Sequence, residues 1–218
     1  MIGQKLLKAR KVMIDFPLYL LTHPFKGFDD MKNAGMGSMA FAVVALILAG
    51  VVSSIEVAYT GFVVTQVWVE TPYVYVPRVM LFTFSPILLF CLANWSITSI
   101  TDGKGKMRDI FLTYMYALYP TLYLTLIGVF ISNFLTLNEA AFSTFFFAFG
   151  AFLHLFLLFI GLIVIHEYTF FRAILMVVLT VLAMLIITFV MALMFSLFSN
   201  VIMIFWTVLQ ELNQHHLN

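Results

Sequence analysis

Apolar residues fall along this chain in long, nearly unbroken runs, unlike the alternating or one-face patterns of half-buried strands and soluble helices. A helix crossing ~30 Å of hydrocarbon at 1.5 Å per residue needs roughly 20 mostly apolar residues. Five runs meet that length: Ser38 to Val57, Val79 to Ile100, Ile110 to Phe134, Ala140 to Ile165 and Ala173 to Phe198. They predict an all-α fold, a polytopic transmembrane helix bundle of about five helices with no internal repeat.

The segments around these runs carry their own patterns. Ahead of the first, Ile2, Leu6, Ala9, Met13 and Phe16 recur at helical spacing while Lys5, Lys8, Lys11 and Asp15 fall on the other side. That is the pattern of an interfacial amphipathic helix whose cations face anionic headgroups. Pro17 and Pro24 are expected to break the chain after it, leaving His23 to Asp30 as a second short segment at the membrane surface. Between the first two runs, Thr60 to Pro77 holds Val63, Val64, Val67, Trp68 and Val69, then Tyr73 to Val76 after Glu70-Thr71-Pro72. Its β-branched and aromatic content predicts two short extended segments, with Trp68 a candidate partner contact.

The last apolar run continues from Ala173 through Leu209, ~55 Å of helix and too long for one crossing. Its only interruption is Phe198-Ser199-Asn200. A bend is expected there, with Val201 to Leu212 forming an apolar helix beyond the membrane. Val201, Ile202, Phe205, Trp206 and Leu209 are its candidate partner contacts, because apolar side chains cover that helix nearly all round. The chain therefore divides into an N-terminal amphipathic segment (1–37), the bundle (38–198) and a C-terminal external helix (199–218).

Composition agrees with the runs. The 218 residues are 63% hydrophobic and 10% charged, with a mean hydropathy of +1.08, more apolar surface than a soluble core of this size hides. The bilayer is the first partner. Of the 11 Lys and Arg, only Arg78 falls on the side opposite the N-terminus. Because cytoplasmic loops retain basic residues, the N-terminus is expected to be cytoplasmic and the C-terminus external. Lys5, Lys8, Lys11, Lys104, Lys106 and Arg108 are candidate headgroup contacts, and no nucleic-acid partner is expected. The first long apolar run starts only near Ser38, so the start does not read as a cleavable signal peptide.

Candidate chemistry is sparse. The lone Cys91 excludes an internal disulfide framework and reads as a small buried hydrophobe. Glu56 lies at the far end of the first span, where a hydrated carboxylate is ordinary. His154 sits ~20 Å from the outer end of the fourth span, near the bilayer centre, where a relay or ligand role competes with a core histidine bonded to a neighbouring helix. Tyr116, Tyr119 and Tyr123 share one face of the third span beside Pro120 and, with Asn94, complete a candidate intramembrane polar site around His154. His154 and His166-Glu167 are ~18 Å apart along one helix with no HExxH, so no zinc-protease site is formed. His215 and His216 are adjacent but terminal. No nucleophile, base and orienting acid recur at a recognisable spacing. Asp102-Gly103-Lys104-Gly105-Lys106 lacks the GxxxxGK[ST] spacing of a phosphate loop. It reads instead as a turn, Gly103 permitting a left-handed helix end and Gly105 a tight bend. No metal or other cofactor and no enzymatic activity are expected.

That turn belongs to a wider pattern. Asn94-Trp95, Thr98, Thr101-Asp102-Gly103-Lys104-Gly105, Asp109-Ile110-Phe111 and Tyr116-Ala117-Leu118-Tyr119-Pro120 resemble the bacterial branch of the Yip-domain (Rab-GTPase-interacting protein) family. His23-Pro24-Phe25, Gly27-Phe28 and Met31-Lys32 resemble the segment ahead of that family's first span. The resemblance covers about His23 to Phe198; the acidic cytosolic motifs of eukaryotic members are absent. It implies a non-enzymatic integral protein of a bacterial cytoplasmic membrane that works through protein partners, as an accessory or scaffold subunit beside the permease subunits of a carbohydrate ABC importer. The alternative is a stand-alone transporter or channel with its polar site at His154.

Overall fold

The structure, a computed structural model, describes residues 10–61, 75–101 and 103–215, with the side chains of the last stretch described to 207. Lys5, Lys8, Trp68, His216 and the side chains of Leu209 and His215 lie outside the described residues, as does most of the segment expected to be extended. Among the described residues all regular structure is helical: α1 (Phe16–Thr22), α2 (Pro24–Lys32), α3 (Met39–Tyr59), α4 (Val76–Ile100), α5 (Met107–Ser132), α6 (Ala140–His166) and α7 (Phe170–His215). Helices α3 to α7 are each long and apolar enough to cross a membrane. The five expected runs fall within them, except that Ser38 lies just before α3 and the third run overshoots α5 by two residues.

Helix α5 is the axis of the bundle. It packs along α6 and against α3, and it is the most buried of the five. Small residues allow this approach: a Cβ at Gly128 would stand 2.7 Å from the Phe147 ring, and one at Gly150 would stand 3.4 Å from Thr121 Cα. Hydroxyls bridge the helices where the backbones come close, since an unpaired polar atom is costly in hydrocarbon. Ser143 donates to the Gly128 carbonyl at 2.9 Å and Thr121 to the Gly150 carbonyl at 2.8 Å.

The N-terminal segment folds onto the bundle. A single π-helical turn, Lys11–Asp15, precedes α1, and the Phe16 N–H closes it on the Lys11 carbonyl. The chain therefore stays helical through Pro17, against expectation: Pro17 occupies the first turn of α1, where a missing N–H is tolerated. The break comes one proline later, at His23 (φ −132°, ψ 64°), because the residue before a proline is pushed out of the helical region. Phe16 and Leu20 of α1 and Phe28 and Met31 of α2 are buried in the main core. The apolar stripe thus meets protein at its described end, while Lys11, Ile14 and Phe25 stay exposed.

Helix α7 differs from the rest. It packs chiefly on α4 and scarcely on α6. Its 46 residues form one helix of ~69 Å that stays helical through Phe198-Ser199-Asn200. The physical reason is composition: no Gly or Pro occurs after Gly161, and Ser or Asn costs a helix well under ~1 kcal/mol. Val201, Ile202, Phe205 and Trp206 are all more than half exposed.

Candidate functional site

A buried polar cluster lies at the end of the bundle that carries the N-terminal segment, the turn before α5 and the α6–α7 connection. At its centre is His166, the last residue of α6, 2% exposed. Its Nδ1 accepts from the Gly105 N–H at 3.1 Å, so the ring proton sits on Nε2, which donates to Asn94 Oδ1 at 3.2 Å. Asn94, fully buried on α4, donates from Nδ2 to Thr180 Oγ1 of α7 at 3.0 Å, and Thr180 donates to the Met176 carbonyl. Four elements are joined through one imidazole and one amide, and both imidazole nitrogens are committed.

The glycines of the turn are explained by that ring. Neither has a positive φ, so the left-handed end expected at Gly103 is not formed. A Cβ at Gly103 would lie 2.5 Å from Tyr168 Oη, and one at Gly105 would lie 2.6 Å from His166 Cε1. Both positions are glycine because aromatic rings press on the backbone. The His166 and Tyr168 rings stack at 5.0 Å, and the Arg172 guanidinium lies 4.9 Å over Tyr168 while donating to the Thr101 carbonyl at 2.6 Å. That contact satisfies a carbonyl at the C-terminus of α4 with a cation, the favourable sign for a helix dipole.

Glu167, next in sequence, ends α6 in the left-handed region (φ 56°, ψ 40°). A non-glycine residue holds that conformation only where its surroundings fix it. Here Lys104 Nζ reaches Oε2 at 2.5 Å and Lys32 Nζ reaches Oε1 at 3.1 Å. These two ammonium donors hold the carboxyl below its ordinary range. The clasp ties α2 and the 101–106 turn to the α6–α7 connection. Lys104 is thus engaged in an ion pair, while Lys106 and Arg108 are exposed and placed to meet headgroups. Lys106 caps α5 through its backbone N–H, which donates to Asp109 Oδ2 at 3.2 Å.

The structure does not bring the expected intramembrane polar set together. Asn94 belongs to the His166 hub. Tyr116 Oη accepts from the Ser38 N–H at 3.2 Å, and its ring stacks on Phe41 at 4.2 Å. The Tyr119 and Tyr123 hydroxyls pair with each other at 2.9 Å. The aromatic ring beside His154 is Tyr114, 4.8 Å away and on another face of α5. His154 and Tyr114 line an apolar groove of about 530 Å³ between α4, α6 and α7, bounded also by Pro86, Phe90, Leu158 and Met184. A second cavity of about 210 Å³ lies between α3, α4 and α5, and Pro86 and Tyr114 line it too. Among the described residues no three His, Cys, Asp or Glu side chains are grouped so as to hold a metal.

Sequence reasoning missed His166 and Glu167, singling them out only to reject a zinc site. The available signal was local: a histidine and a glutamate closing a long apolar run, opposite a Gly-Lys-Gly turn at the same end of the bundle.

A bundle of five helices, each long and apolar enough to cross a membrane, with an N-terminal segment packed on it, is an integral membrane protein, and the helices place it in contact with lipid. The Yip1 domain profile matches residues 18–192, and the chain belongs to that family, whose members are non-enzymatic membrane proteins. No curated protein and no solved structure matches it.

Proposed function

We propose that this protein is a non-enzymatic accessory or scaffold subunit that works through other membrane proteins, with the permease subunits of a carbohydrate ABC importer as the leading partners. The observation that carries this reading is α7. From about Val181 to Trp206 it is apolar nearly all round and largely exposed, and α7 continues well past one bilayer thickness. Lipid satisfies such a helix only over ~30 Å, so the remainder calls for a protein neighbour. The importer assignment rests on the resemblance to bacterial Yip-domain proteins. The basic end, with Lys106 and Arg108 exposed, supports a cytoplasmic N-terminus and an external C-terminus in a bacterial cytoplasmic membrane. The groove beside His154 is apolar apart from His154 and Tyr114, which favours the partner reading over a hydrated transport path.

The test is a photo-crosslinking residue at Phe205 in native membranes, with the captured protein identified by mass spectrometry. Capture of a permease subunit is the expected result, and truncation at Ser199 should abolish copurification of that subunit. Crosslinks to lipid alone would refute the scaffold reading, and capture of an unrelated membrane protein would refute the importer assignment.

A further inference from the structure

The cavity between α3, α4 and α5 contains Glu56, which stands 17 residues beyond Met39 and so ~26 Å along an otherwise apolar helix. That is one turn from the C-terminal end of α3, where the side chain is half-buried, and a half-buried carboxylate favours a partner. Among the described residues it has no salt bridge and its carboxylate accepts no hydrogen bond. The chain has little to offer it. Among the described residues the only Lys or Arg at this end of the bundle is Arg78, whose guanidinium lies 5.8 Å over the Phe82 ring, and residues 62–74 contain neither Lys nor Arg.

The rest of the lining is informative. Ser53, Thr83, Tyr114, Thr121 and Thr125 contribute hydroxyls. Thr83 donates its proton to the Val79 carbonyl at 3.0 Å and Thr121 to Gly150, so both retain only acceptor capacity. A carboxylate with no cation beside it, ringed by hydroxyl oxygens that can all accept, suits a positively charged, hydrogen-bond-donating ligand. The rest of the lining, with Val52, Ile87, Leu118 and Leu122, is apolar. At about 210 Å³ the cavity matches roughly seven water volumes, far more than a bare ion fills.

We propose that this cavity binds a small organic cation, its ammonium group on Glu56 and its short apolar body against Val52, Ile87 and Leu122. The site is separate from α7 and stands whether or not the scaffold reading does.

The experiment uses the full-length protein in nanodiscs of zwitterionic lipid, titrated calorimetrically with n-butylammonium, with 1-butanol as its neutral counterpart and with potassium. Saturable binding of n-butylammonium, with neither 1-butanol nor potassium competing, is expected. Glu56→Gln should weaken it by roughly tenfold or more, since the ion pair is formed in a medium far less polar than water. Val52→Phe, which fills the apolar wall and leaves the carboxylate, should weaken it as much. Equal affinity in wild type and Glu56→Gln, competition by 1-butanol, or no saturable binding would overturn the proposal; potassium binding as tightly would overturn the organic class. If Glu56→Gln does not fold, Val52→Phe and the comparison of the three probes decide alone.

Discussion

Replacing His166 by Phe isolates the hydrogen bonds of the hub from its packing. The phenyl ring matches the imidazole closely enough to keep the 5.0 Å stack on Tyr168, but it neither accepts from Gly105 nor donates to Asn94. Two groups in a site only 2% exposed at its centre are then left without partners. Each such orphan costs about 1–3 kcal/mol, and hydrogen bonds in membrane proteins fall toward the low end, so the expected loss is about 2–4 kcal/mol. Reversible unfolding of the purified protein in mixed micelles, followed by helical circular dichroism, measures it. Asn94→Leu should cost a similar amount, and the double variant should be less destabilised than the sum by at least ~1 kcal/mol, because it removes both halves of one interaction. A His166→Phe loss below about 1 kcal/mol, or an additive cycle, would refute the claim that this imidazole joins the helices.

Other expectations follow from the same contacts. Gly105→Ala puts a methyl group 2.6 Å from His166 Cε1 and should destabilise by about 1–3 kcal/mol, as overpacking does, in the same unfolding assay. The Glu167 carboxyl is held below its ordinary range, so its clasp contributes fully above that range and is lost as pH falls through the depressed value. Hydrogen exchange of α2 should accelerate over that acid window, and Glu167→Gln should remove the pH dependence. Tyr116→Phe leaves the Ser38 N–H without its acceptor and should cost about 1 kcal/mol in stability. The same variant should leave partner capture at Phe205 unchanged, since Tyr116 belongs to the core.

The five spans were legible because crossing hydrocarbon demands a length and composition that nothing else in a short chain requires. The 101–106 turn was legible as a turn, yet for the wrong reason: Gly103 and Gly105 answer to rings more than 60 residues away, which no local pattern reveals. Asn94 stood out as a polar residue in an apolar span, whereas its partner His166 looked like a terminus. The tyrosine face of α5 was assigned to His154 by proximity of type; a rotation along one helix put Tyr114 there instead. Pro17 was read as a breaker because its place in the first turn of α1 depends on where the helix starts. The continuity of α7 through Ser199-Asn200 shows that two polar residues without Gly or Pro do not end a helix of that apolarity.

Tyr114 and Pro86 line both hollows of the bundle, the acidic one around Glu56 and the greasy one around His154. They act as a septum one side chain thick between two compartments of opposite character. Trimming the Tyr114 ring would join the two into a single lateral passage leading from α3 to the lipid-facing flank of α7.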